Sequence, residues 1–297
     1  MFIIRHKFWF LGLSAFFIAL AVAGIAKFGL KEGIDFAGGT LWQIQIEDEA
    51  VSIDDVRETF KNDLNIEDVV IVPESASQSL LLRFGTITEV EHQAYFASVQ
   101  KKYSNAKELR FETLGPTIGN EIRERALWAF VFVLLGISLY VAFAFREVSF
   151  PVSSWKYGVI TLLTLFHDAL IPTGFFALLG YLRNAEVDTN FVVAILVVMG
   201  FSVHDTIVVF DRIRENLRLT RDRKFDFNTL VGKSINETMA RSINTSLTLV
   251  IVLVALYLLG AGSLSYFVLV ILLGTVIGTY SSICVASPLL TLWKKSA

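Results

Sequence analysis

Met199-Gly-Phe-Ser-Val-His-Asp-Thr-Ile-Val-Val-Phe-Asp-Arg-Ile-Arg-Glu-Asn216 joins an apolar run that enters at Phe191 to a string of charges that begins at Asp211. The apolar run has the length of a spanning helix, so His204, Asp205 and Thr206 fall at lipid depth. A charge at the centre of a span costs at least roughly 2.5 kcal/mol, and intramembrane carboxylates mark ion or proton pathways by default. Counted from Asn190, Asp205 lies 15 residues into its span. That is about 22 Å along the helix at its standard rise, which sets it on the cytoplasmic side of the midplane. Ser202, Val208 and Val209 share its face.

Composition agrees with a membrane protein. The 297 residues are 54% hydrophobic and 18% charged, with a mean hydropathy of +0.59, too apolar for an ordinary soluble chain. The single cysteine, Cys284, permits neither a disulfide within the chain nor a cysteine metal cluster. The net charge of −2 hides a division. Residues 31–121 carry 8 basic and 17 acidic side chains, a net of −9, and the remainder carries 18 and 11, a net of +7. An acidic soluble block on one face of a membrane and basic loops on the other would give this division.

Taken in order, Arg5, His6 and Lys7 precede an apolar run from Phe8 to about Ala26. It is too long for a signal-peptide core and ends at no small-residue cleavage site, so a retained first span is expected in residues 1–30. Residues 40–114 read as soluble, with strands at Leu41–Ile46, Val69–Val72, Ser79–Phe84 and Leu109–Thr113. Helices are expected at Ser52–Leu64 and Thr88–Tyr103, each opened by a hydroxyl residue with an acid three positions on, Asp55 and Glu91. The order βαββαβ is the ferredoxin-like pattern, and the α+β domain is drawn at 31–122. Five further spans follow in residues 123–297, at Leu127–Phe145, Tyr157–Leu179, Asn190–Phe210, Ile243–Leu259 and Leu264–Leu292. Each can cross a hydrocarbon core about 30 Å thick.

The expected fold is therefore membrane α-helical, with six transmembrane helices and one small ferredoxin-like domain between helices one and two. Loop charges orient it. Arg146, Lys156, Lys294, Lys295 and eight Lys/Arg between Asp211 and Arg241 all fall on the side of Arg5 and Lys7, whereas Arg183 stands alone among the opposite short loops. Both termini are then cytoplasmic and the α+β domain is outside. The stretch 211–241 reads as an amphipathic cytoplasmic loop lying along the membrane surface.

Other polar residues interrupt the spans. Arg241 opens one and is followed by Asn244-Thr245-Ser246, side chains that bond across helices or hydrate a channel. A cation there is the natural partner to seek for Asp205. His167-Asp168 lies about 16 Å in from Lys156, with Pro172 four residues after Asp168 to free a backbone carbonyl. It is either a self-satisfied pair that fixes packing or part of a proton route. Asp35-Phe-Ala-Gly38-Gly39-Thr40 ends the first span, and its paired glycines suit a tight entry into the first strand. No catalytic triad, metal spacing, P-loop or dinucleotide fingerprint occurs, Gly260-Ala-Gly262 being a turn between spans. Neither an enzyme, a cofactor, a metal nor nucleic-acid binding is expected. Energy must come from an ion gradient or a partner.

Asp35–Thr40, Gly115-Pro116-Thr-Ile-Gly119, His167-Asp168, Asp205-Thr206 running into Val208–Asn216, and Arg241 with Asn244-Thr245-Ser246 resemble the SecD/SecF family of protein-export membrane proteins, in the resistance–nodulation–division superfamily. The resemblance covers essentially the whole chain. It implies an accessory role in preprotein export across the bacterial inner membrane, driven by the proton-motive force. Its implied partners are SecD, the SecYEG translocon, YajC, the translocating preprotein and membrane lipids. It also implies a proton pathway through Asp205 and Arg241, and the sequence itself sets His204 beside them and His167, Asp168, Thr206, Asn244 and Thr245 as candidates around them. Asp35, Gly38, Gly39, Gly115 and Pro116 would form the joint between the domain and the spans. One residue departs from the family pattern: His204 stands where asparagine is common, and an imidazole can itself carry a proton. A small-molecule or lipid exporter of the same superfamily is the alternative, disfavoured by the single small outer domain.

Overall fold

The computed structural model describes residues 2–46, 52–74, 79–146, 151–220, 225–260 and 264–293. Of the stretches read above, 221–224, Ala261-Gly262 and Lys294-Lys295 lie outside the described residues. In chain order the helices are α1 (Phe2–Arg5), α2 (Lys7–Phe28), α3 (Ile34–Ala37), α4 (Ile53–Asn62), α5 (Glu89–Lys102), α6 (Pro116–Ala144), α7 (Ser154–Arg183), α8 (Thr189–Leu219), α9 (Phe227–Leu258), α10 (Ser265–Ser281) and α11 (Ser287–Leu292). A π-helical turn, Ser282–Ala286, connects the last two. The strands are β1 (Gly39–Ile46), β2 (Val70–Glu74), β3 (Ser79–Phe84) and β4 (Ala106–Leu114). The chain forms two units, Glu32–Leu127 and Met1–Lys31 with Trp128–Ala297.

The smaller unit is a ferredoxin-like sheet in the order β2-β3-β1-β4, every neighbouring pair antiparallel. Alternation along the central strand puts Trp42 and Ile44 on the face covered by α4 and α5, where they are fully buried with Val56, Phe60, Leu82 and Val99. Both helices start as their sequences dictate. The Ser52 and Thr88 hydroxyls accept from the backbone N–H of Asp55 and Glu91, and those carboxylates accept back. Strand β4 begins three residues before the expected Leu109. A bulge opposite Gln43/Ile44 offsets the register there, so that Glu108 accepts from the Trp42 indole N–H at 2.6 Å and bonds His92 Nε2 at 2.6 Å. The His92 ring stacks on Phe111 with centroids 3.6 Å apart.

The glycines at the ends of this unit answer to contact as much as to angle. Gly38 has φ +75°, and a Cβ there would lie 2.9 Å from the backbone nitrogen of Pro116. A Cβ on Gly119 would lie 2.7 Å from the Phe36 carbonyl oxygen. The two segments that enter and leave the unit are packed backbone on backbone, and α6 runs without a break from Pro116.

In the larger unit, six helices among the described residues are long and apolar enough to cross a membrane: α2, α6, α7, α8, α9 and α10 with its continuation. Helices α7, α8 and α10 form its centre, and α2 packs on α7. Lipid gives no hydrophobic drive for helix association, so close approach through small residues takes its place. Gly174 on α7 is such a point, since a Cβ there would sit 2.4 Å from Ala21 of α2.

One boundary needs correction. Within 211–241, read as a loop, the flanking spans continue as helix: α8 runs to Leu219 and α9 begins at Phe227. The first charge is a poor marker of a helix end when the charges are paired. Glu237 accepts from Arg212 Nε at 2.7 Å and from Asn216 Nδ2 at 2.9 Å, and Asn216 also donates to Ser234 Oγ at 2.8 Å. These bonds tie the two extensions together.

The capping boxes give the smaller unit an acid-sensitive component. The Ser52 hydroxyl and then its backbone N–H hold the Asp55 carboxyl below its ordinary value, and the Thr88 backbone N–H and then its hydroxyl do the same for Glu91. A lowered folded-state value stabilises above the unfolded carboxyl value near about 4 and is lost as pH falls through the folded one. First-turn amides of α4 and α5 should therefore lose hydrogen-exchange protection, corrected for intrinsic rate, as pH drops below about 4. Ser52→Ala should lower the stability of α4 by about 1 kcal/mol at neutral pH and flatten that acid dependence.

Candidate functional site

The site begins with Pro172, which has no N–H to offer the Asp168 carbonyl one turn earlier. Asp168 itself is fully buried in the middle of α7. Its Oδ1 lies 2.7 Å from His167 Nδ1, and its Oδ2 accepts from Ser281 Oγ of α10 at 2.6 Å and from Ser202 Oγ of α8. A carboxylate with three bonds from three helices is well satisfied for its depth. His167 is 3% exposed, and its Nε2 has no hydrogen-bond partner among the described residues.

One turn along α8, the Thr206 and Ser282 hydroxyls bond at 2.8 Å, and Ser282 also donates to the Ser202 carbonyl at 3.3 Å. Asp205 comes next, 2% exposed. Its Oδ2 accepts from Ser246 Oγ of α9 at 3.3 Å, and Ser246 Oγ lies 2.5 Å from Thr279 Oγ1 of α10. The close approach of α8 and α10 makes the bonds of Ser282 to α8 possible. A Cβ on Gly274 would lie 2.3 Å from a Val198 methyl, and one on Gly278 would lie 2.9 Å from Ser202 Cβ.

Helical spacing sets Ser202 on the face of Asp205, but its hydroxyl serves Asp168. Arg241, expected beside Asp205, is exposed, and no ion pair joins the two among the described residues. At 100° per residue Arg241 lies about 140° around α9 from Ser246, so the hydroxyl and the guanidinium point to different sides. Asn244, Thr245 and His204 are exposed as well. The structure brings together Asp205, Thr206, His167 and Asp168, and it leaves His204, Arg241, Asn244 and Thr245 on the outside of the unit. Sequence reasoning missed Ser281, Ser282 and Thr279, and with them the contact at Gly274 and Gly278. The repeat of small residues Gly274-x3-Gly278-x2-Ser281 carried the signal.

An open, apolar groove of about 470 Å³ reaches this site from the side, between α1, α2, α9 and α10. Ile3, Phe10, Leu247 and Cys284 line it, and so do the two hydroxyl residues next to Asp205, Ser246 and Thr279. Among the described residues no group of His, Cys, Asp and Glu is placed to hold a metal ion.

The chain is similar to known proteins over most of its length. The family model described as protein export membrane protein SecD/SecF, C-terminal, matches residues 94–296. The protein translocase subunit SecF of Thermobaculum terrenum is 42% identical over an alignment covering 98% of this chain and 93% of that relative. The protein translocase subunit SecDF of Bacillus subtilis is 33% identical over 98% of this chain, which spans 37% of that longer protein. The crystal structure of SecDF from Thermus thermophilus, described as a translocon-associated membrane protein, is 32% identical, with a TM-score of 0.82. That match covers 98% of this chain and 38% of the other.

The α8–α10 contact should not tolerate bulk. Gly278→Val forces a side chain against Ser202, an overpacking that costs roughly 1–3 kcal/mol. A lowered unfolding temperature in detergent, absent in Gly136→Val, where a Cβ meets nothing within 4 Å, is the expected result.

Proposed function

This chain belongs to the SecD/SecF family of protein-export membrane proteins, and we propose that it uses a transmembrane proton gradient to promote preprotein export as an accessory subunit of the Sec translocase. It is a multi-pass membrane protein, and it associates with SecD, the subunit with which it is fused in relatives named SecDF. The observation that carries the proton reading is the setting of Asp205. The carboxyl is buried among hydroxyls of α9 and α10, with no arginine or lysine in contact among the described residues. A hydroxyl can donate to a carboxylate or accept from a carboxylic acid, so the site keeps its bonds when a proton arrives. A fixed guanidinium would not permit this.

His204, Arg241, Asn244 and Thr245 supply the second half of the reading. They stand exposed on helices of membrane-spanning length, where lipid would leave their polar groups unpaired. A helical partner that covers them restores the bonds, and SecD is the partner that the fused relatives supply. Arg241 and His204 then face that partner, and the proton path runs from the shared interface to Asp205. The basic residues outside the spans support an orientation in an inner membrane with both termini cytoplasmic and the ferredoxin-like domain periplasmic. SecYEG, YajC and the translocating preprotein complete the assembly. The relatives carry translocase names, which disfavours a small-molecule exporter.

Inverted membrane vesicles test this directly. Asp205→Asn is isosteric and should leave assembly with SecD intact while removing the stimulation of preprotein translocation by an imposed proton gradient. Undiminished stimulation in that variant would overturn the proton reading.

A further inference from the structure

Asp168 is more deeply buried than Asp205, at 0% against 2% exposure, and the proton path just described makes no use of it. Resting on the reading that a proton gradient drives this unit, we propose that Asp168 is a second proton-exchange group, with His167 as its immediate proton donor and acceptor.

The partners of Asp168 support this. They are two hydroxyls and an imidazole: Ser202 Oγ, Ser281 Oγ at 2.6 Å, and His167 Nδ1 at 2.7 Å. None carries a permanent charge. Transfer from an imidazolium breaks the Nδ1–H bond of His167 and forms an O–H bond at Oδ1 of Asp168, leaving both groups neutral. The two serines keep their contacts with Oδ2 throughout, because a hydroxyl rotates to suit. The second nitrogen of His167 is buried without a partner among the described residues. It points away from Asp168 as the other end of the same ring, and a proton entering or leaving the pair has that nitrogen as its port. A purely structural pair would leave this atom buried and unpaired, which destabilises the fold.

No other charge takes the place of His167. Helix α7 packs against α2, α8 and α10 with the turn that follows it. Their titratable side chains are Lys7 and Lys27 on α2, His204, Asp205 and the charges beyond Phe210 on α8, and Tyr266, Tyr280 and Cys284 on the last. Of these only Asp205 and Cys284 are buried. The link to Asp205 is mechanical. Ser202 precedes Asp205 by one turn on α8, and Ser281 follows Thr279 by two residues on α10. Helix α10 takes part in both sites, through Ser281 at Asp168 and through Thr279 at the Ser246 hydroxyl that serves Asp205, so a slide of α10 along α8 disturbs both together.

Infrared difference spectroscopy of the full chain in lipid vesicles, with isotope-labelled aspartate, reads this out. As pH rises, the native protein should lose two bands from buried, slowly exchanging carboxylic acids. Asp205→Asn should lose one and retain the other, and adding Asp168→Asn should abolish the second. His167→Gln in the Asp205→Asn background should shift the pH at which the remaining band disappears by at least tenfold in proton concentration. An Asp205→Asn protein with no titrating band overturns the proposal, and the native spectrum decides it even where Asp168→Asn fails to fold. A native spectrum with one band, lost in Asp205→Asn, overturns it while sparing the proton reading of Asp205. A native spectrum with none overturns both.

Discussion

The closeness of α10 to α8 is the constraint on which the helical unit depends. In lipid, two helices gain nothing by hiding apolar surface from each other, so their association rests on packing and polar bonds. Gly274 and Gly278 remove the side chains that would hold the backbones apart. Once the helices are close, short side chains suffice. Ser282 reaches Thr206 across that contact, and the same helix sends Ser281 to Asp168 on α7 and Thr279 to the Ser246 hydroxyl on α9 that serves Asp205. A longer, more flexible polar residue would span a wider gap but would fix the carboxyls less firmly. Here position is set by backbone contact, and the bonds are left to hydroxyls, which can both donate and accept.

The ferredoxin-like unit obeys the opposite solvent logic. Trp42, Ile44, Phe60 and Leu82 are hidden from water, and the gain from doing so holds the sheet against its two helices. Its polar bonds are of a different kind too. Glu108 accepts from Trp42 and meets His92 in a fixed geometry, and the helix starts are closed by reciprocal bonds. The unit is specified by local rules and a compact core, and its entering and leaving segments are clamped by the contacts of Gly38 and Gly119.

Much of this was legible from sequence for reasons that differ by region. The βαββαβ order followed from alternation and two capping boxes, both of which are local. The start of β4 was missed because Lys107 and Glu108 alternate with nothing apolar on an edge strand. The spans stood out by hydropathy, but their ends did not, since Arg212, Asn216 and Glu237 pair with one another and let α8 and α9 continue past the first charge. Asp205 and Asp168 were conspicuous as carboxyls in apolar runs. Their partners were not. A serine in an apolar helix is unremarked until its pairing is known, and Ser281 lies 113 residues from Asp168. Arg241 shows the limit most plainly. Its motif placed it near Asp205 in purpose, but only the rotation of α9 tells which way it faces.

The π-helical turn at Ser282–Ala286 has a consequence for how this chain can vary. Such a turn is one residue more than a regular helix needs, so it acts as a phase adjuster: everything after it is turned by about 100°. The segment it re-phases carries Thr291, which accepts from Lys7 at 3.2 Å, and Trp293, whose carbonyl accepts from Lys156 at 2.8 Å. Those two bonds tie α11 and Trp293 to α2 and α7. Substitutions within the turn leave this phase unchanged, but a one-residue deletion would remove the extra residue and turn Thr291 and Trp293 off their latches. Length, more than composition, is what this part of the sequence must preserve.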